Sequence, residues 1–419
     1  MVANPPNTVD DVPAAAEILV VGAGPAGSAA AAWAARSGRE VALIDAATFP
    51  RDKTCGDGLT PRAIAELDRL GLGEWVRSRG LNRGLRLAGF GREVELPWPG
   101  GSLPAVGSAV PRTELDDRIR QVAVDSGARM VQGAKAIDVV RDGNRVRAVV
   151  VRTAAGTQEI ACRSLIVADG VRSTLGKQLG RTWHRDTAYG VAARAYVTSG
   201  RSDDPWITSH LELRDGDGSL QPGYGWVFPL ATGEVNVGVG SLATAKRPAD
   251  VALKPLLAFY AESRRKEWHF DGPIRAVSSA LLPMAGAVSG VAGANWALIG
   301  DAAACVNPLN GEGIDYGLEG GRIIADLLAA DDLSELWPDT LRTTYGRAFS
   351  VGRRLAGLAT VRGVIPTGGP LSLRSMRMMR ILVRVMGNLV TEEDDDLTAR
   401  AWRRSGAISM RIDGRPPFS

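Results

Sequence analysis

Ile18-Leu19-Val20-Val21-Gly22-Ala23-Gly24-Pro25-Ala26-Gly27 lies near the start of the chain and decides how the rest is read. Four consecutive apolar residues mark a short strand buried on both faces. The three glycines then permit a tight turn and close backbone approach, and the Ala-rich run 26–37 reads as a helix closed by Gly38. A second apolar strand, 41–44, ends at Asp45, 23 residues beyond Gly22. In this order the elements form a unit whose helix N-terminus holds a dinucleotide pyrophosphate and whose acid accepts ribose hydroxyls. Gly22, Gly24, Pro25, Ala26, Gly27 and Asp45 are therefore candidate dinucleotide-binding residues. Read alone, the motif also fits a glycine turn kept for packing, and it does not separate nicotinamide from flavin dinucleotides.

The 419 residues, 45% of them hydrophobic and 23% charged, are ample for a large core and exclude a disordered chain. A net charge of +4 is small for this length, so no nucleic-acid partner is expected. Only six of the 50 basic residues are Lys, a skew that points to a GC-rich genome rather than to function. Cys55, Cys162 and Cys305 cannot build a disulfide framework, which suits a reducing compartment. The three histidines stand singly, and no metal site is expected. The uncharged stretch 18–35 has the length of a membrane span, but its glycine motif argues against one. The polar residues before it, with Asp10 and Asp11, do not read as a signal peptide, and 1–15 is expected to be a flexible tail.

Along the chain, a helix is expected over 60–70, one loose strand over 85–96, a helix from Arg112 to about 126, and three strand runs around Asp142-Gly143-Asn144 and Gly156. The buried strand 165–168 ends at Asp169-Gly170. From 187 to about 244 the pattern alternates and is β-rich, and 296–299 returns to a buried strand. Two domains are thus interleaved: 16–75, 100–180 and 286–332 in a discontinuous dinucleotide domain, 76–99 and 181–285 in a β-rich substrate domain. Residues 333–419 are expected to be helical, with a breaker at 366–370.

A second motif separates the dinucleotides. Gly300-Asp301-Ala302-Ala303-Ala304-Cys305-Val306-Asn307-Pro308-Leu309-Asn310-Gly311-Glu312-Gly313-Ile314 follows a strand and precedes a helix. Asp301 suits ribityl hydroxyls, and the helix start near Gly313 suits negative charge on a flavin. With Asp169-Gly170 and Arg112, the set resembles the FAD-dependent monooxygenase-like fold, over most of 18–330. That family includes aromatic hydroxylases, flavin halogenases and geranylgeranyl reductases. The resemblance implies FAD as cofactor and an α/β fold: a Rossmann-type FAD-binding domain interleaved with a β-rich substrate domain, as in aromatic hydroxylases, then a C-terminal helical region. It adds Lys53, Cys55, Gly56, Arg112, Asp169, Asp301, Gly311, Gly313 and Ile314 to the cofactor-binding residues. Asp45 departs from the glutamate commoner there by one methylene of reach. No second Gly-x-Gly-x-x-Gly suggests a dedicated nicotinamide domain.

Two further stretches narrow the branch. Phe49-Pro50-Arg51-Asp52-Lys53-Thr54-Cys55-Gly56-Asp57-Gly58-Leu59 follows the first unit, and Pro222-Gly223-Tyr224-Gly225-Trp226-Val227-Phe228-Pro229 lies in the β-rich region. Both are similar to signatures of the geranylgeranyl reductase family. Tyr224, Trp226 and Phe228 alternate, so a strand ended by Pro229 puts them on one face. Such a face is either an ordinary half-buried strand or a flat apolar wall for a polyprenyl chain. The resemblance implies a flavoenzyme that saturates a carbon–carbon double bond of an isoprenoid, most closely one isoprene unit of a menaquinone side chain. Tyr224, Trp226, Phe228 and Pro229 would bind the substrate. Tyr224 and Trp226 would stabilise positive charge through their π faces, and Cys55 is either the proton donor, with a thiol of ordinary acidity, or a small residue packed beside the glycine turn. Open alternatives are a geranylgeranyl diphosphate or lipid reductase, an aromatic hydroxylase or halogenase, and a non-catalytic isoprenoid escort. The electron donor, a reduced nicotinamide nucleotide or a redox protein, is not legible.

In the stretch 371–390, Arg374, Arg377, Arg380 and Arg384 gather on one side of a helical wheel, and Met378, Met379, Leu382, Val385, Met386 and Leu389 on another. A basic amphipathic helix of this kind lies in a membrane interface or packs on its own domain. The first reading implies a peripheral protein on the cytoplasmic side of the cell membrane.

Overall fold

A computed structural model describes residues 12–249 and 251–419. Its centre is an eight-stranded sheet whose main path runs Ala292–Gly293, Trp296–Leu298, Gly156–Val167, Ala15–Val21, Val41–Ile44 and Arg129–Val131. The first strand pairs in parallel with two neighbours, Ile18 with Ser164 on one side and Val41 on the other. Ile18, Leu19, Val20 and Val21 are buried, as continuous apolar runs in parallel sheets require. The strands Lys135–Asp142 and Arg145–Thr153 extend the long strand Gly156–Val167 as an antiparallel ribbon.

Helices Pro25–Arg36 and Ile314–Leu327 cross so closely that a glycine is obligatory between them. A Cβ at Gly321 would sit 2.6 Å from the Ala26 carbonyl oxygen and 2.8 Å from the Ala30 nitrogen. That contact ties the first glycine motif to the helix that follows the second, far away in the chain.

The β-rich region forms a seven-stranded sheet: Phe270–Leu282, Tyr189–Ser199, Glu234–Ala243, Gly223–Pro229, Trp206–His210, Gly84–Gly89 and Arg92–Pro97. Helix Leu253–Arg264 covers one face through Leu256, Leu257 and Tyr260, above a core with Val235, Val237 and Val239. The expected single strand over 85–96 is instead a hairpin, because Gly89, Phe90 and Gly91 all adopt positive φ. Both of its arms join this sheet, Gly84–Gly89 in parallel with Trp206–His210.

Three other expectations change. The chain is already ordered before residue 16: the first strand begins at Ala15 and Val12 packs on the main core, while residues 1–11 of the expected tail lie outside the described part. The breaker at 366–370 is helical, within Val364–Ser372. Pro366 falls in its first turn, where a backbone N–H has no intrahelical acceptor to lose, and only Pro370 gives one up. The stretch 371–390 is not one helix: a break at Leu373-Arg374-Ser375 precedes helix Met376–Met386, whose start Ser375 caps by accepting from the Met378 N–H at 3.3 Å. Met379, Val383 and Leu389 are buried against Leu87, Leu96 and Trp98 of the hairpin side. Arg384 leaves the basic face and binds Asp394 at 3.1 Å and Asp396 at 2.6 Å. Among the described residues no helix is long and apolar enough to cross a membrane.

Gly321→Ala should lower stability by about 1–3 kcal/mol, the usual penalty of overpacking a close contact. A thermal melt of the purified protein checks this, and an unchanged midpoint would mean that the two helices do not touch.

Candidate active site

The glycine loop separates two duties that its sequence does not. Gly22 has a φ of +101° and lies against the Ala168 carbonyl, while a Cβ at Gly27 would overlap the carbonyl oxygen of Gly22. Both are needed for packing. Gly24 is different: a Cβ there would meet only the Arg51 guanidinium, at 3.4 Å. The chain itself gives no reason for a glycine at that position, and a pyrophosphate drawn against the loop does. Gly24 also caps helix Pro25–Arg36 with no side chain on the first-turn N–H groups, which keeps the helix N-terminus available to an anion.

Asp45 braces this loop. Its Oδ2 accepts from the Ala23 N–H at 2.7 Å and its Oδ1 from the Ala47 N–H at 2.8 Å. Each oxygen keeps a second lone pair for a ribose hydroxyl, and the shorter reach of aspartate is matched to the short span it bridges. Asp301 follows the strand Trp296–Leu298 and pairs with Lys53 at 3.3 Å, so two expected cofactor residues meet. Asp169 accepts from the Leu175 N–H at 3.2 Å, and burial raises its carboxyl above the usual range. Arg112 is buried and gives Nε and Nη2 to the Asp116 carboxylate at 2.6 and 2.8 Å; Arg51 binds the same carboxylate at 2.9 Å. The open Gly24, the uncapped helix and the acids at Asp45 and Asp301 together fit FAD.

The 49–59 loop then meets the aromatic strand. The rings of Tyr224 and Trp226 are 5.9 Å apart and those of Trp226 and Phe228 6.1 Å apart, so the three share a face. Pro229 is the last residue of that strand. The face is turned onto the loop: a Cβ on Gly56 would lie 3.2 Å from the Phe228 ring and 3.4 Å from the Trp226 nitrogen. Trp226 is only 6% exposed, so its ring is packed into the structure rather than forming an open surface. Tyr224 donates its hydroxyl to the Asn310 carbonyl at 2.5 Å, which docks the strand on the second glycine motif. Cys55 is partly exposed, while Cys162 and Cys305 are buried. Its thiol is not of ordinary acidity: burial pushes it up, opposed by the Arg112 charge and reinforced by Asp57 and Glu312. It is therefore protonated throughout the neutral range.

At the second motif the helix start expected to face the flavin is occupied by the chain's own carboxyl. Glu312 Oε1 accepts from the Ile314 N–H at 3.1 Å and the Asp315 N–H at 3.4 Å. Burial holds the Glu312 carboxyl far above the usual carboxylate range, with Asp315 adding to the effect, and it pushes Asp315 up to about 7. Gly313 caps this helix, and a Cβ there would lie 3.3 Å from an Asp301 oxygen, while Gly311, at a φ of +78°, forms the turn before it. Sequence reading passed over Glu312, Asp315, Asp57 and Asn236; only the first three lie inside quoted motifs or beside them, and a buried asparagine on a strand carries no pattern. Among the described residues no His, Cys, Asp and Glu cluster could hold a metal.

Gly24→Val should fold normally and purify without FAD, because the added atoms fill space that only the cofactor needs. Asp301→Ala should lose most FAD as well. Absorbance of the purified variants checks both, and stoichiometric FAD in Gly24→Val would overturn the cradle.

The FAD binding domain family model matches residues 15–346. A menaquinone reductase of Mycobacterium tuberculosis (strain ATCC 25618 / H37Rv) is 64% identical over 98% of this chain and 100% of its own length. A digeranylgeranylglycerophospholipid reductase of Methanopyrus kandleri is 29% identical over 82% of this chain and 91% of its own. A geranylgeranyl bacteriochlorophyll reductase-like protein of Thermoplasma acidophilum superimposes with a TM-score of 0.74 at 20% identity, covering 90% of this chain and 98% of the other. The family model spans the glycine cradle, the Cys-Gly loop and the aromatic strand alike. The chain belongs to the FAD binding domain family, in its geranylgeranyl reductase branch.

Proposed function

We propose that this protein is a menaquinone reductase, an FAD-dependent enzyme that saturates one carbon–carbon double bond in the isoprenoid side chain of menaquinone. The observation that carries the reading is the 64% identity to menaquinone reductase across 98% of the chain, far above the 25% to 30% to lipid reductases. FAD, when bound, supplies the hydride for one alkene carbon. The chain's own residues supply the rest.

An isolated alkene has no carbonyl to hold negative charge, so a proton must reach the other carbon. Cys55 carries a protonated thiol at the meeting point of the loop and the aromatic face, which suits that role. Tyr224 and Trp226 present π faces to charge developing on the substituted carbon, and such stabilisation helps only in the transition state. Phe228 and Pro229 extend the apolar floor. Burying one isoprene unit of about five carbons contributes roughly 4 kcal/mol at about 0.8 kcal/mol per carbon, so the tail is gripped without the head group. Of the alternatives, the escort lacks support in a chain whose cradle fits FAD, and hydroxylase or halogenase chemistry lacks support in relatives this similar.

The substrate resides in membranes, and the C-terminal helices offer a surface for them. Leu358, Leu371, Met378 and Ile381 are 53%, 57%, 48% and 39% exposed on three successive helices, interleaved with exposed Arg362, Arg374, Arg377 and Arg380. We assign this surface to peripheral contact with an anionic leaflet, where each basic residue contributes about 1 kcal/mol. Replacing Arg374, Arg377 and Arg380 by glutamate, with the ion-paired Arg384 left intact, should release the protein from membrane fractions. An unchanged distribution would assign the helices to packing alone.

Cys55→Ala should keep FAD and lose about a hundredfold or more in quinone saturation, within the range general acids contribute. Mass spectrometry of quinones from cells lacking the gene and complemented with each version reads the result. Full restoration by Cys55→Ala would pass the proton to another acid, and quinones unchanged by deletion, with altered phospholipid chains, would favour a lipid reductase.

A further inference from the structure

Asn236 is fully buried in strand Glu234–Ala243 and uses its whole amide. Its Oδ1 accepts from the Trp226 indole N–H at 2.9 Å. Its Nδ2 donates to the Cys55 carbonyl at 2.9 Å and to Asp57 Oδ2 at 2.8 Å, which spends both amide hydrogens. One side chain therefore joins the aromatic strand, the proton-donor loop and a carboxyl.

Asp57 is the other half of the arrangement. It is fully buried at a φ of +65° between Gly56 and Gly58, and its backbone N–H points at Cys55 Sγ, 3.4 Å away. Oδ2 also accepts from the Tyr196 hydroxyl at 2.7 Å, while Oδ1 is buried without a partner. Around the carboxyl stand Arg112 from helix Arg112–Asp125, Arg194 and Tyr196 from strand Tyr189–Ser199, and Cys55 in the loop. Neither guanidinium is hydrogen-bonded to this carboxyl: Arg112 binds Asp116 and also lies within hydrogen-bond reach of Cys55, and Arg194 binds Asp52. A buried carboxyl with one free oxygen costs stability, and a fold retains it only where it does something that an apolar residue would not.

We propose that Asp57 and Asn236 are positioning residues of the reductase site, which hold the Cys55 thiol in register with the Trp226 face. The inference rests on the reading of Cys55 as proton donor. Asn236 fixes the distance, since any shift of the loop along the strand breaks a bond at one end of its amide. Asp57 adds a negative charge beside the sulfur, which opposes thiolate formation and keeps the donor loaded. Burial pushes the Asp57 carboxyl up to about 6, against hydrogen bonds from Asn236 and Tyr196. The charged form, which holds those bonds best, is thus present above about pH 6 and lost as pH falls through it.

The test uses the FAD-loaded full-length protein and two readouts. The first is the pH dependence of Cys55 alkylation by iodoacetamide, followed on the Cys55 peptide; it needs no substrate. Asp57→Asn should lower the midpoint by about one pH unit, while Asp57→Glu, which keeps the charge, should stay near wild type. The second is turnover against pH. Wild type should lose kcat as pH falls through about 6, with KM little changed; Asp57→Asn should lose at least about tenfold in kcat at neutral pH and show no acid limb. Tyr196→Phe removes one donor to the carboxylate and should move the limb to higher pH. An unshifted alkylation midpoint in Asp57→Asn, or a wild-type acid limb in Asp57→Asn or Tyr196→Phe, would overturn the proposal. If wild type reduces no quinone while the alkylation shift is present, the assigned reaction fails and the positioning contact stands.

Discussion

Backbone crowding at one crossing organises this molecule. The strand Ala15–Val21, the end of Gly156–Val167 and the start of helix Pro25–Arg36 meet where no side chain fits, with Gly22 against the Ala168 carbonyl and Gly27 against Gly22 itself. Side chains there would push the helix off the sheet. With them absent, the helix begins directly above the strand ends, and its free N–H groups face the open side of Gly24. The same helix carries Ala26 and Ala30 to Gly321, so the position of the first motif determines that of the second. From that packing follows the place of Asp301, of the helix Ile314–Leu327 and of the Asn310 carbonyl on which the aromatic strand docks.

The reacting region is then assembled from chain segments that share no local structure. The 49–59 loop leaves the dinucleotide unit and lies on the far sheet, where Gly56 and Gly58 let it settle on Trp226 and Phe228. Arg194 reaches back from that sheet to Asp52 and to the Lys53 carbonyl, and Tyr196 to Asp57. Lys53 pairs in turn with Asp301 and Arg51 with Asp116, so the loop is a shared part of two domains. Water exclusion follows from the same burial, and it is burial that raises the acids Cys55, Asp57, Glu312 and Asp315 toward their protonated forms. The proposed delivery of a proton to hydrocarbon calls for a bias of this kind toward protonated forms.

What was legible in the sequence was whatever local periodicity or backbone sterics dictate. The first unit, the Asp301 turn and the alternation of Tyr224, Trp226 and Phe228 are of this kind: the first helix and second strand match within a residue, while the first strand starts three residues before its apolar run. Features decided by distant partners were not. Nothing near Arg384 announces that Asp394 and Asp396 will claim it. Glu312 read as part of a glycine motif, yet it caps the helix beside it. Asn236 stands among alternating valines and glycines, and only the folded sheet shows that its amide joins three functional groups. Proline in 366–370 misled because its effect depends on which helical turn it occupies.

The central claim is that FAD cradle, thiol and aromatic floor converge on an isoprenoid tail and not on a quinone ring. The most direct measurement is a single turnover of the chemically reduced holoenzyme with menaquinone in anionic vesicles, followed by re-oxidation in air and fragmentation of the product. The account predicts an intact mass greater by one pair of hydrogens, with the ring fragment unchanged and the gain confined to the side chain. A product that returns to its starting mass on re-oxidation would show that only the ring was reduced, and would contradict it.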